Sequence, residues 1–374
     1  MFGLLFYVFC LEGRIFRIVN FSFILSQKNF FEKGAYKEIG EKIKALLAVF
    51  LPLCYAFVMI YPNNKRFYSH NQYLRDTFGE KTFKIALDGG FTCPNRDGSI
   101  SVGGCSFCSP RGSGEFIVNA QDAIVKQFQG YQEMIHKKWK TGKYIAYFQA
   151  FSGTYAPVSV LKERFEPMLL LENVVGLSIA TRPDCLPPEV LDYLAHLNTR
   201  THLWVELGLQ TVHDKTANLF HRGYEYFVFE KAVENLRKLG ISLCVHLING
   251  LPGEDHSMMM ETAKRVAALD VQGVKLHLLH IVKGTEMEKS YHRGEVSPLK
   301  KYDYVNLVCD QLEVLPKEMV IHRLSGDGKR ESLVAPLWSL KKWELLNAID
   351  QSLEERNSWQ GKFYVNNKME GGER

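Results

Sequence analysis

Three cysteines, Cys93, Cys105 and Cys108, lie in the glycine-rich stretch "DGGFTCPNRDGSISVGGCSFCSPRGSG" with the spacing C-x11-C-x2-C. Thiolates are soft ligands, suited to iron–sulfur clusters and to zinc. Glycines at 89, 90, 98, 103, 104, 112 and 114 let such a loop fold closely around what it binds. Structural zinc is closed by four ligands, commonly from two C-x2-C knuckles, and this loop has one knuckle. A 4Fe-4S cubane held by three thiolates keeps one iron open for a cofactor or substrate. The long first gap costs about 1 kcal/mol more in loop closure than a three-residue gap, which is small against metal–thiolate binding. A zinc site completed by Cys185 or a histidine is the alternative. Cys10, Cys54, Cys185, Cys244 and Cys309 are scattered without cluster spacing and read as buried thiols.

Other polar residues sit where apolar runs end. Gly153 and Thr154 follow one run, Ser178 and Arg182 another. Glu206 and Gln210 fall on one face of a strand. These are candidates to bind a cofactor. "NGLPGE" (249–254) reads as a turn whose glycines admit a close backbone approach. His277 and His280 have no accompanying carboxylate or cysteine and read as sheet or loop histidines. Asp327, in "RLSGDG", reads as a turn residue on the substrate side.

The elements that must position these residues follow from periodicity. Strands are predicted at Phe83–Leu87, Tyr144–Phe151, Val174–Ala180, His202–Leu209, Ser242–Ile248 and Gly273–Leu278, alternating with helices near 120–139, 158–170, 187–197, 226–239 and 257–269. Pro157 and Pro187 sit where a first helical turn accepts proline, and Gly240 follows a basic helix end. Strands joined by right-handed helical crossovers give a parallel α/β sheet. Six units fall short of the eight of a closed barrel, so the expected fold is a partial (β/α)6 TIM-like open barrel, its cysteine loop after the first strand. Ligands then bind at the C-terminal strand ends.

The knuckle Cys105-Ser-Phe-Cys108, with Phe107 before the last cysteine, resembles the cluster motif of the radical S-adenosylmethionine (SAM) enzymes. The long first gap is closer to the Elp3-like branch. "LDGGFTCPNRDG…GGCSFC", "FQAFSGTYAP", "SIATRPDCL", "VELGLQT", "HRG" and "NGLPGE" together resemble the YhcC/YtqA-like bacterial subfamily, from about residue 63 to 362. The resemblance implies a 4Fe-4S cluster on the three cysteines and SAM as cofactor. It places Glu206, Gln210 and Arg222 near the adenosyl ligand, with Arg222 toward its carboxylate, and counts Phe107 among the cofactor-binding residues. It also implies a one-electron donor such as flavodoxin or ferredoxin. Elp3-like enzymes act on the wobble uridine of tRNA. Members of the bacterial subfamily are linked to conversion of its carboxymethylaminomethyl group to aminomethyl, so tRNA is the expected partner. A radical enzyme acting on a small metabolite and a zinc-binding nucleic-acid module are the rival readings.

The chain has 374 residues and a formal charge of +5, a mild basic excess that permits a polyanionic partner without requiring one. Basic and aromatic residues gather at both ends of the resembling region: Lys65, Arg66, Tyr68 and His70, then Trp338, Lys341, Lys342 and Trp343. That mixture suits RNA, although a solvated surface carries it equally. Residues 1–58 differ from the rest. They include the uncharged run "ALLAVFLPLCYAFVMIY", which is short for a membrane span of about 20 residues and is broken by Pro52. This segment reads as a membrane anchor, a soluble amphipathic extension, or sequence ahead of a true start at Met59. The abrupt change in composition favours the last. The expected organisation is an apolar extension at 1–58, a radical core at 59–330 and a helical segment at 331–374, in a cytoplasmic protein.

Overall fold

In the computed structural model, which describes residues 65–117 and 120–365, the sheet runs through β1 (Thr82–Leu87), β2 (Lys143–Phe148), β3 (Val174–Thr181), β4 (His202–Gln210), β5 (Ser242–Asn249), β6 (Gly273–Leu278) and β8 (Val320–Arg323). Those seven strands lie side by side in that order and every pairing is parallel. The six expected strands are present. β8 adds a seventh at the open edge, a four-residue strand too short to stand out as a periodic run. The crossovers are α2 (Ile124–His136), α3 (Val158–Leu169), α4 (Pro188–Asn198), α6 (Tyr226–Lys238) and α7 (His256–Ala268), with a short α5 (Asp214–Leu219) before α6. A small hairpin pairs β7 (Ile281–Val282) with β9 (Leu333–Ala335). Beyond the sheet, α8 (Glu286–His292) packs on β7, and α9 (Lys301–Val314) packs on α7 and on α10 (Lys342–Glu355). Among the described residues no helix is long and apolar enough to cross a membrane. The apolar run near residue 50 and Met59 lie outside them.

Alternation decides what each strand face meets. Ile85, Leu87, Phe148, Ile179, Val205, Leu207, Val245, Leu276 and Ile321 point outward into the helical layer and form the main core. Helix boundaries follow local chemistry. Asp255 caps α7 by accepting from the Met258 N–H at 2.9 Å, and Gly240 ends the α6 turn in a left-handed conformation.

The inward face is polar, and it reports the curvature of the sheet. Glu206 on β4 is fully buried and accepts from Lys84 on β1, Ser178 on β3 (2.6 Å), His246 on β5 (2.7 Å) and Lys275 on β6. Lys275 also donates to the Tyr147 hydroxyl on β2 at 3.0 Å. In a flat sheet β2 and β6 would stand roughly 19 Å apart, at about 4.8 Å per strand. A direct side-chain bond between them requires the sheet to curl into a half-barrel around these groups. The N-terminal opening is covered by α1 (His70–Phe78): His70 stacks on His322 with centroids 4.2 Å apart, and Tyr73 meets Trp204 edge-on. Gln360 closes the same end, donating to the carbonyls of Pro316 and Met319 and accepting from the Tyr68 N–H.

The arrangement makes Glu206 a structural charge. Glu206→Gln leaves Lys84 and Lys275 without their shared anion and should lower unfolding stability by about 3–5 kcal/mol. Urea titration checks this; a loss below about 1 kcal/mol contradicts the assignment.

Candidate active site

The cysteine loop leaves β1 at the C-terminal mouth and folds across it. Backbone bonds build its first turn: the Arg96 and Asp97 N–H groups donate to the Cys93 carbonyl, and the Ile100 N–H to that of Pro94. The knuckle is a second turn, closed by Cys108 N–H to Cys105 C=O at 2.8 Å. It is pinned from both sides, because the Ser106 N–H donates to the Phe220 carbonyl and the Ser106 carbonyl accepts from the Met287 N–H. Phe107 packs on Phe220 at 5.3 Å between centroids. Asn95 ties the loop to the "HRG" segment: its Nδ2 donates to the carbonyls of His221 (2.7 Å) and Arg222 (3.0 Å) and reaches Cys105 Sγ at 3.6 Å. Gly223 holds a φ of +81°, and a Cβ there would collide with Asn95 Oδ1, so glycine is required at this contact.

The three cysteines are partly exposed and unpaired by any disulfide. They lie within electrostatic reach of one another. Burial, and next the neighbouring Cys108, push the Cys105 thiol up to about 12; burial raises Cys108, with Arg96 opposing. Cys105 and Cys108 resist losing their protons alone, which suits the soft donor set to a metal cluster, whose positive charge stabilises thiolates outright. Arg96 donates to the carbonyls of Cys108 and Ser109. Cys185, the candidate fourth ligand of a zinc site, is buried and its thiol is raised by burial first and Asp184 next.

The strand-end residues fall into two groups. Arg182 points toward the cysteines. It holds Asp184 through Nε and Nη2, donates from Nη1 to the Arg222 carbonyl at 2.8 Å, and lies over the Tyr224 ring at 4.9 Å. Gln210 ends β4 at a φ of +66°, a strained state for a side chain other than glycine. Its amide folds back over Gly208, where a Cβ would lie 2.6 Å from Nε2. The remaining candidates are engaged within the fold. Gly153 donates its N–H to the Ala180 carbonyl, and an added Cβ would stand 2.8 Å from that oxygen. Thr154 joins Thr181 and the Cys185 carbonyl, both at 2.6 Å. Ser178 is bonded to Glu206. Arg222 is 1% exposed, and its donors go to Leu209, Thr211, Tyr224 and Asp214.

Below the cysteine loop lies the polar interior. Burial alone would raise the Glu206 carboxyl, but Lys275, Lys84 and the His246 hydrogen bond hold it well below the usual range. Lys275 is pushed down to about 8 by burial, against the pull of Glu206. Donor atoms of Glu206, Cys244 and His246 converge within 4.8 Å. Both carboxylate oxygens are already taken by two ammonium groups, a hydroxyl and an imidazole. These cations repel a metal ion, so the trio is an ion cluster rather than a second metal site.

Sequence reasoning missed Asn95 and the three basic partners of Glu206. A signal existed: Lys84, His246 and Lys275 occupy inward positions of strands buried on both faces, where a charge demands a partner. The basic and aromatic residues grouped as an RNA surface are mostly used otherwise. Lys65 pairs with Asp350, Tyr68 with Asp76, Lys342 with Asp327, and His70 lies against His322. Trp343 is exposed.

Comparison with known proteins decides the family. The radical SAM superfamily model matches residues 93–266 and the radical SAM C-terminal domain model matches residues 271–355. YtqA of Bacillus subtilis is 59% identical over 300 residues, covering 80% of this chain and 93% of that protein. The chain belongs to the radical SAM superfamily. Within it, the chain groups with YtqA-like proteins, and the cofactors of the family are a 4Fe-4S cluster and SAM. A tRNA uridine(34) acetyltransferase of Methanocaldococcus jannaschii is 29% identical over 157 residues, 41% of this chain and 28% of that protein. The solved Elp3 of Methanocaldococcus infernus shares the fold, with a TM-score of 0.57 at 17% identity over 75% of this chain and 64% of that one. In this radical SAM chain the donor set fits the cluster: Cys93, Cys105 and Cys108 would hold it.

Gly223→Ala forces both a left-handed alanine and a clash with Asn95, at a cost of roughly 1–3 kcal/mol. The variant should keep its helical circular dichroism and bind less iron after anaerobic reconstitution. Undiminished iron would show that the Asn95 contact does not position the cysteines.

Proposed function

We propose that this radical SAM enzyme modifies the side chain at C5 of the wobble uridine in tRNA, converting carboxymethylaminomethyl to aminomethyl. The observation that carries this reading is the likeness to a tRNA uridine(34) acetyltransferase, joined to the fold shared with Elp3. When bound, the cluster would supply the electron for reductive cleavage of SAM and so the means to abstract a hydrogen atom; loss of that hydrogen and one electron from the carboxymethyl methylene, with the electron returning to the cluster and water added, would release the two carbons as glyoxylate and leave the aminomethyl group.

The chain's own residues bind, orient and shield. Cys93, Cys105 and Cys108 fix the cluster at the mouth of the half-barrel. Arg182 supplies a nearby positive charge, locked by Asp184. Gln210 and Phe107 are proposed to accept the adenosyl and methionyl parts of SAM, and Gly153 and Thr154, bonded within the fold, to shape the strand end beside them. For Glu206, Ser178 and Arg222 the proposed part is indirect: they hold the strand ends to which SAM binds.

A wobble base must leave its stack to enter such a mouth. The cysteine loop offers it an exposed apolar rim: Ile100 and Val102 are exposed, and Phe116 is exposed beneath the Lys329 ammonium at 5.5 Å from the ring centroid. An aromatic face beside a cation suits base stacking with a phosphate close by. Flavodoxin or ferredoxin is the proposed electron donor, and the cytoplasm the proposed location of the reaction.

Nucleoside mass spectrometry of tRNA from a deletion strain tests the proposal. Carboxymethylaminomethyluridine should accumulate at the expense of aminomethyl products, and re-expressed wild-type protein should restore them. An unchanged profile of modified uridines contradicts it.

A further inference from the structure

The inner wall of the half-barrel between β5 and β8 carries groups that neither the cluster nor the Glu206 cluster accounts for. His246 and His277 face inward from adjacent strands with ring centroids 5.3 Å apart. His280 follows β6 and lies against the turn after β8, where a Cβ on Gly326 would stand 3.0 Å from its Cε1. Arg323 ends β8; its Nη2 and the Lys342 ammonium share Asp327, at 2.7 and 2.6 Å.

Two properties of this wall point to a ligand. The first is orphaned polarity. Nε2 of His277 and Nε2 of His280 are shut away from solvent with no hydrogen-bond partner. Nearly all such buried atoms in folded proteins are paired, so each calls for an explanation. Arg323 likewise commits only Nη2 within the fold. The second is charge. Among the described residues, the ion pairs of Lys84, Lys275, Arg323 and Lys342 go to two carboxylates, Glu206 and Asp327. Burial, then the surrounding basic groups, hold His277 well below the usual imidazole range; burial holds His280 at about 4. The wall therefore has N–H donors and an excess of positive charge. A metal ion is repelled there, and an apolar group leaves the donors unpaired.

We propose that His277, His280 and Arg323 form a carboxylate-binding subsite on the inner wall. A planar carboxylate suits a guanidinium fork whose Nε and Nη1 carry no hydrogen bond among the described residues. This rests on the proposed tRNA activity for one point only, the identity of the carboxylate as the carboxymethyl group of the wobble side chain. Binding it here would hold the carboxymethylamino unit in the half-barrel below the cysteine loop.

The test uses the full chain loaded anaerobically with its cluster, in wild-type form and as Arg323→Gln, Arg323→Lys and His277→Leu. In the first arm, tRNA bearing carboxymethylaminomethyluridine is compared with the same tRNA carrying the methyl ester. Wild type should favour the acid by roughly 10- to 100-fold in kcat/KM, the range of a charged hydrogen bond. Arg323→Gln and His277→Leu should lose that preference through KM while converting the ester nearly as well as wild type, and Arg323→Lys should recover part of it. Equal losses on acid and ester, or none, overturn the subsite. In the second arm, iminodiacetate and its diamide are titrated calorimetrically into the SAM-bound protein. Millimolar binding of the acid alone, abolished by Arg323→Gln and by His277→Leu, supports the subsite. Absence of binding to wild type overturns it. A wild type that binds iminodiacetate yet converts neither tRNA contradicts the tRNA reading and leaves the subsite standing. Iron content and unfolding midpoint verify that each variant is folded; His277→Leu removes an unpaired polar group, so it remains informative where the arginine variants fail to fold.

Discussion

A single buried carboxylate, Glu206, receives side chains from β1, β3, β5 and β6. Removing such a charge from water costs several kcal/mol, and only close partners with good geometry repay it. Those partners reach one point only because the sheet curls. The ion cluster and the curvature thus specify each other, and the outward faces of the same strands carry the apolar core that supports the curl. The half-barrel that results has a polar interior and an open mouth, which is what a charged cofactor and a polar substrate require.

The mouth is organised by backbone contacts more than by side chains. The knuckle with Cys105 and Cys108 is held by amide bonds to Phe220 and Met287, and Asn95 reaches the segment after α5. The same segment supplies Arg222, whose bonds to Leu209 and Thr211 fasten it to the end of β4. A chain of direct contacts therefore links the cysteine loop to the strand that carries Glu206 and Gln210. Displacement of the "HRG" turn would be felt at the cysteines and at the strand end together.

Much of this was legible in the sequence. Six strands and their helices follow from periodicity, because parallel strands buried on both faces read as apolar runs and their crossovers as amphipathic ones. The three cysteines and their loop were evident from spacing and glycine content. β8 was not, since four residues carry too little pattern. The internal bonds of Arg222 and Thr154 were not legible either, because a polar residue at a strand end looks the same whether it faces a ligand or a neighbouring carbonyl. The pairing of β6 with β8, which sets Lys275 beside Arg323, is a long-range contact that no local pattern encodes.

The central claim is that this radical SAM chain uses its three-cysteine loop to cleave SAM reductively. Anaerobic reconstitution with iron and sulfide, followed by dithionite and SAM, tests it most directly. The account predicts a brown protein with about four iron atoms per chain, the content of one cubane, that releases 5′-deoxyadenosine, and loss of both properties when Cys93, Cys105 and Cys108 are replaced by alanine. A colourless protein that binds zinc through the same cysteines, or a loaded cluster that yields no 5′-deoxyadenosine, would contradict it.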